Sequence, residues 1–187
     1  RGSIDVTVPN YNYSGNSVFG SIDLSSSDMS QNSGYESNKT GWILGTEFEQ
    51  FENVYLSPSF SASHEKIEAQ ADASKSIKDM EGTFSNVDFI YGITVDKRNQ
   101  PYRPSSGYLT TFKQSIPLLQ DSSSFLNGLT FTSYHDVSDN IVGALRFYAR
   151  SIHGVNDEDV RLTKRLFLPG NRLRGFQVKK TGPKDGS

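Results

Sequence analysis

The sequence contains no cysteine, so it can build neither a disulfide scaffold nor a thiolate metal site, and it keeps no record of a redox compartment. Long apolar runs are absent too. No stretch of Ala, Val, Ile, Leu, Met, Phe, Trp, Tyr or Cys exceeds three residues, whereas a helix that crosses a membrane needs about 20 apolar residues in succession. Charge of one sign is equally missing: 19 basic residues face 21 acidic ones, the net charge is −2, and the charges are scattered. A nucleic-acid partner therefore has no basic face to meet. Apolar residues make up only 34% of the 187, against about 45 to 50%, glycine included, in ordinary soluble domains. Aromatics nevertheless reach 12%, with 12 Phe and 9 Tyr. A chain of this kind is polar without belonging to the aromatic-poor class that stays disordered.

What is present is alternation. Eight runs with a period of two, each closed by Gly, Asn, Ser, Asp or Pro, occupy residues 4–8, 17–26, 41–51, 54–65, 83–96, 108–116, 125–137 and 141–153. The fourth is the cleanest, with Val54, Leu56, Phe60 and Ala62 on one face and Ser57, Ser59, Ser61 and Ser63 on the other. The fifth sets Val87, Phe89, Tyr91, Ile93 and Val95 against Asp88, Gly92, Thr94 and Asp96. No segment carries an apolar stripe at helical spacing; residues 65–80 contain helix formers with too few apolar residues to bury, and are expected to be a loop with at most a helical turn. Short turns near Glu52 and at residues 138–140, with longer polar connections at 27–40 and 66–82, suit an antiparallel meander.

Two all-β architectures produce this pattern, a soluble sandwich and a transmembrane β-barrel. The polar face carries charges in mid-strand, at Asp23, Glu47, Glu49, Asp88, Lys113, Arg146 and Arg150, which need water or partners. The apolar face is nearly free of charge. Runs of about ten residues match the 9 to 11 that cross a bilayer as strands, so the strand lengths favour a barrel with Glu47, Glu49, Arg146 and Arg150 facing its lumen.

The end of the chain adds a resemblance. Leu168, Pro169, Gly170, Asn171, Arg172, Leu173, Arg174, Gly175 and Phe176, followed by Gly182 and Pro183, resemble the arginine-glycine-phenylalanine loop of BamA-like outer-membrane assembly factors, in the bacterial surface antigen superfamily. A second stretch, Asp96, Arg98, Tyr102, Pro104, Ser105, Ser106, Gly107 and Tyr108, is similar to a turn of the same family that lies three hairpin connections earlier. The resemblance covers essentially the whole chain, on motifs from Phe89 onward and on pattern alone before that. It implies that residues 1–187 are part of a sixteen-stranded outer-membrane barrel, its fourth to eleventh strands, with 154–187 the long extracellular loop that folds into the lumen. The periplasmic POTRA repeats, the other strands and the closing seam would lie outside the chain, which reads as a piece of a longer protein with open sheet edges.

The function this implies is the folding and insertion of other β-barrel proteins into the bacterial outer membrane. The partners would be unfolded outer-membrane proteins, the lipid bilayer and, through POTRA repeats, assembly-complex lipoproteins. A protein-translocating pore of the same superfamily is the alternative, and a passive porin a more distant one. Within the loop motif, Arg174 offers a rigid fork of donors for a carboxylate on a later strand, Gly175 permits close approach, and Phe176 would pack on the inner wall. The cluster of Asp96, Arg98, Pro104 and Gly107 is expected to be structural, a turn set by Pro and Gly and stapled by an ion pair.

Enzyme signatures are lacking, and neither catalysis nor a cofactor is expected. There is no G-x-S-x-G, and Gly15 to Gly20 has phosphate-loop spacing but no following Lys. His64, His135 and His153 are far apart and read as strand-end residues, not metal ligands. Asp157, Glu158 and Asp159 read as a solvated acidic tip, and Glu47 with Glu49 as lumen wall instead of a glycosidase pair.

Overall fold

The computed structural model describes residues 2–28, 30, 34–79, 81–120, 124–155, 160 and 164–166. They form one antiparallel meander of eight strands, hydrogen-bonded in chain order from first to last. The strands are β1 (Gly2–Val8), β2 (Ser17–Asp28), β3 (Tyr35–Phe51), β4 (Val54–Ala69), β5 (Gly82–Asp96), β6 (Gly107–Gln120), β7 (Ser124–Ser138) and β8 (Ile141–Gly154). A single turn of helix, α1 (Lys75–Lys78), lies in the connection before β5. Every run expected from the alternation is a strand, and the sheet is open, with β1 and β8 at its edges.

Register decides which side chains share a face, because directly paired residues point the same way. One row reads Val6, Gly20, Leu44, Phe60, Phe89, Ile116 across β1 to β6. Its neighbour reads Ile4, Ile22, Trp42, Ala62, Val87, Leu119. Many apolar side chains on this face are exposed: Ile4 is 68% exposed, Leu44 57%, Phe60 51% and, on β8, Leu145 68%. The other face carries Asp23, Gly41, Ser63 and Asn86 in one row and Ser21, Ile43, Ser61 and Asp88 in the next. No large side chain among the described residues is fully buried. The sheet is thus apolar on the outside and polar within, which reverses a soluble sandwich and is the arrangement of a barrel wall against hydrocarbon.

Two segments depart from the alternation. The strand β3 starts at Tyr35, six residues before its apolar pattern, so the connection to it is shorter than the polar stretch 27–40 suggested. The strand β4 likewise continues to Ala69. At 17 and 16 residues the two outrun the roughly 9 to 11 needed to cross a bilayer. Their outer ends carry Glu36, Asn38, Lys66 and Glu68, with Lys66 and Glu68 ion-paired, as suits a hairpin standing in water beyond the apolar belt. Backbone pairing, which needs no apolar residue, holds it there.

At that same end the chain builds a small covered patch. Tyr35 and Ile67 are each 4% exposed. The Gln70 N–H donates to the Gly34 carbonyl at 2.8 Å, and a Cβ added at Gly34 would lie 3.1 Å from the Ala73 Cβ, so the connection 70–81 folds back over the strand ends. The Lys78 ammonium closes it by donating to the Ala71 carbonyl at 2.6 Å.

The two faces predict opposite tolerance for one substitution. In the full-length protein, Leu44→Arg places a charge in the middle of the outward apolar rows and is expected to cost about 2 to 4 kcal/mol, whereas Ser61→Arg points into the polar face beside Asp88 and should cost under about 1 kcal/mol. The temperature at which the folded band of an unheated gel sample gives way to the unfolded band measures both. Equal tolerance of the two would contradict this placement of the faces.

Candidate functional site

Chemistry-bearing side chains gather on the polar face. Register aligns Ser57, Gly92, Lys113, Gly128 and Arg150 in one row, and Glu49, Tyr55, Thr94, Thr111, Thr130 and Tyr148 in the row next to it. Of the four charges expected to face the lumen, Glu47 pairs with Ser17, Glu49 with Tyr55, Arg146 with Thr132 and Arg150 with Gly128, all on this face. They do not form one cluster. The Glu49 carboxylate accepts the Asn53 N–H at 2.8 Å and so closes the β3–β4 hairpin. The Arg150 guanidinium lies over the Tyr148 ring, 5.1 Å from its centre, a cation–π contact that holds it along the wall.

A hollow of about 330 Å³ opens on this face between Asp88, Lys113 and Arg150. Its floor is less polar than the alternation suggested, for Phe19, Ile43, Ile90 and Leu126 line it as well. Phe19, Gly45, Ser59, Ile90, Ser115, Leu126 and Ile152 occupy one lateral row. Gly45 explains how the Phe19 ring fits there, since a Cβ at that position would come within 2.6 Å of the ring and 2.5 Å of the Ser59 side chain. The ring tip occupies the space that the missing side chain leaves. The alternation within single runs does not show this row, because strands far apart in sequence assemble it. The residue that signalled it is Gly45, a glycine inside a strand, which marks close approach.

The turn between β5 and β6 is densely hydrogen-bonded. The Arg98 guanidinium grips the Asp96 carboxylate with two bonds, Nε to Oδ1 at 2.8 Å and Nη2 to Oδ2 at 2.6 Å, while its third nitrogen donates to the Pro101 carbonyl at 3.3 Å. The Asn99 side chain donates to Ser105 Oγ at 2.9 Å and accepts the Ser105 N–H at 3.1 Å. Strand pairing continues into the turn through Lys97 N–H to Tyr108 carbonyl at 2.8 Å. The carboxylate bonds push Arg98 further above its already high ordinary pKa. Gly107 sits at φ +93°, and a Cβ there would collide with the Lys97 carbonyl oxygen. Pro104 precedes this point in the turn. Asp96, Arg98, Pro104 and Gly107 thus come together as one folded unit.

Arg172, Leu173, Arg174, Gly175, Phe176, Gly182 and Pro183 lie outside the described residues, as do Asp157, Glu158 and Asp159. Among the described residues no three or more His, Asp or Glu side chains are close enough to hold a metal ion. His64 shares a hydrogen bond with Ser85 Oγ at 3.1 Å on the outward face.

The turn yields a direct test. Gly107→Ala must either twist the backbone out of the left-handed region or displace residue 97, at about 1 to 3 kcal/mol. Arg98→Lys keeps the charge but loses the planar fork. In the full-length protein both should lower the melting temperature and expose residues 97–106 to protease. Cleavage unchanged from the parent protein would show that the turn does not depend on this staple.

Comparison with known proteins agrees with this geometry. The Omp85 superfamily domain matches residues 1–187, the whole chain. Among solved structures, BamA from Haemophilus ducreyi lacking POTRA domains 1–3 superposes with a TM-score of 0.70 at 17% identity, over 84% of this chain and 34% of that one. At that identity the likeness is one of fold, and the chain spans about a third of the BamA structure's length. No curated protein matches the chain by sequence. An open sheet of eight antiparallel strands, apolar outside and polar within, matched end to end by one family, is a part of a transmembrane β-barrel, and the chain belongs to the Omp85 superfamily.

Proposed function

We propose that the protein containing this chain folds and inserts other β-barrel proteins into the bacterial outer membrane. The observation that carries the reading is the match of the Omp85 superfamily domain to all 187 residues of a sheet built as a barrel wall. The likeness to BamA in fold, over most of this chain, supports the assembly reading. In this role the wall performs no covalent chemistry. Its outward rows fix the barrel in lipid, its wet inner face, with Asp88, Lys113 and Arg150 around an open hollow, receives polar chain, and the stapled turn of residues 97–106 fixes the hairpin that joins β5 to β6. Substrates are unfolded outer-membrane proteins, which need an edge for their strands to pair with. Assembly-complex lipoproteins acting through POTRA repeats are the accessory partners of the same proposal. Arg174 serves as the anchor of the loop that follows β8, through a carboxylate elsewhere in the barrel.

Reconstitution decides it. Full-length protein in phospholipid vesicles, given a urea-unfolded outer-membrane barrel protein, should raise the rate at which the substrate acquires its folded, heat-modifiable gel band by at least about tenfold over empty vesicles. Arg174→Ala should reduce that rate, or the melting temperature of the barrel itself. No acceleration, together with passage of a secreted substrate into the vesicle lumen, would assign the protein to translocation instead.

A further inference from the structure

A hydrogen-bonded row of polar side chains crosses the apolar belt of the outward face. Where apolar side chains are expected, Tyr91, Gln114, Asn127 and Ser151 occupy a single lateral row across β5 to β8. They are joined end to end: Tyr91 Oη donates to Gln114 Oε1 at 2.8 Å, Gln114 Nε2 to Asn127 Oδ1, and Asn127 Nδ2 to Ser151 Oγ at 3.2 Å. Above and below, the same face shows Phe89 and Ile93 on β5, Phe112 and Ile116 on β6, and Phe125 and Leu129 on β7. On β5 the row crosses the middle of the apolar stretch. On β8 it reaches Ser151, three residues from the strand's end at Gly154 on the side of the connection 70–81. The row therefore slopes from the centre of the apolar belt toward one rim.

The network meets its own needs only in part. Each amide nitrogen carries two hydrogens and gives one to the row, and Ser151, having accepted from Asn127, still has its hydroxyl hydrogen. Three polar hydrogens are thus not used within the row, whose side chains are all half-buried on the outward face. Hydrocarbon has no acceptors to offer them, and an unmet donor there is costly. The neighbours that fill the space are aromatic, with Phe89 and Phe112 at 6.4 and 6.2 Å from the Tyr91 ring. The row itself holds no charged side chain. The occupant that fits is amphipathic, rich in hydrogen-bond acceptors and indifferent to the net charge of its headgroup.

We propose that Tyr91, Gln114, Asn127 and Ser151 form a phospholipid-binding track, which holds the phosphate and ester oxygens of one lipid against the outer wall, below the level of the surrounding headgroups. The aromatic side chains beside the track pack on its acyl chains. The proposal is independent of what the protein does to its substrates, since it concerns only the lipid side of the wall.

The test uses full-length protein in nanodiscs of palmitoyl-oleoyl phosphatidylglycerol, released into the gas phase so that retained lipids are counted by native mass spectrometry, beside a melting curve. The double variant Gln114→Leu with Asn127→Leu should cut the share of molecules carrying a retained lipid by about fivefold or more, as expected for loss of at least one net hydrogen bond. Phe112→Leu, which leaves the network intact, should retain more lipid than that double variant. Ser151→Ala, which removes only the last hydroxyl, should reduce retention in the same direction and decides the matter if the double variant does not fold. Unchanged retention in Ser151→Ala and in the double variant would overturn the proposal, and a lowered melting temperature with unchanged retention would make the row a staple between strands and nothing more.

Discussion

A peptide group in hydrocarbon has no water to fall back on, so each N–H and C=O must find its partner within the protein. In this chain the partners are neighbouring strands. Seven consecutive ladders join the eight strands, and other features follow from keeping them unbroken. Strand ends are closed by tight hairpins such as the one that Glu49 caps, and the one long connection at that end of β5 is itself bonded throughout by Arg98 and Asn99. The same demand lets β3 and β4 run on past the apolar belt, because a ladder once begun continues into water at little cost.

The ladders fix the faces, and the faces fix what each side chain can do. Outward, Leu44, Phe60 and Leu145 are exposed as no soluble protein of this size would expose them, and lipid is what makes that exposure favourable. Inward, charges of both signs coexist with an apolar row that contains Phe19, Ile90 and Leu126. Such a wall is neither a uniformly charged filter nor a packed core. It sets charges and small greasy footholds side by side.

Much of this was legible in the sequence. Alternation located all eight strands, usually to within two or three residues, because period two survives wherever one side faces lipid and the other water. It failed at residues 35–40, where both faces are wet and no alternation is needed. The turn was legible for a different reason: Asp96, Arg98, Pro104 and Gly107 are close in sequence and each has a local physical task, so residue type and spacing suffice. The row through Phe19 and Leu126, and the outward row of Tyr91, Gln114, Asn127 and Ser151, were not legible. Alternation says which face a residue is on; it does not say which residue of the next strand stands beside it. That depends on register, set by bulges such as those near Glu49, Val87 and Asp136, which no periodic pattern records.

Register also bears on the edges of the sheet. The strand β1 is seven residues long and pairs only with β2, and its outward Ile4, Val6 and Val8 are among the more exposed apolar side chains. The strand β8 pairs only with β7 over fourteen residues. Each leaves a row of peptide groups unmet among the described residues, which hydrocarbon does not tolerate. A barrel closes such rows by adding strands, and the proportion between this sheet and the BamA structure, a third of whose length it spans, leaves room for them. The eight strands are thus a stretch of wall whose stability depends on neighbours on both sides. The interior charges and the stapled turn belong to that larger ring, since a wall that is polar on its inner face has a dry outside and a wet inside only once the ring is closed.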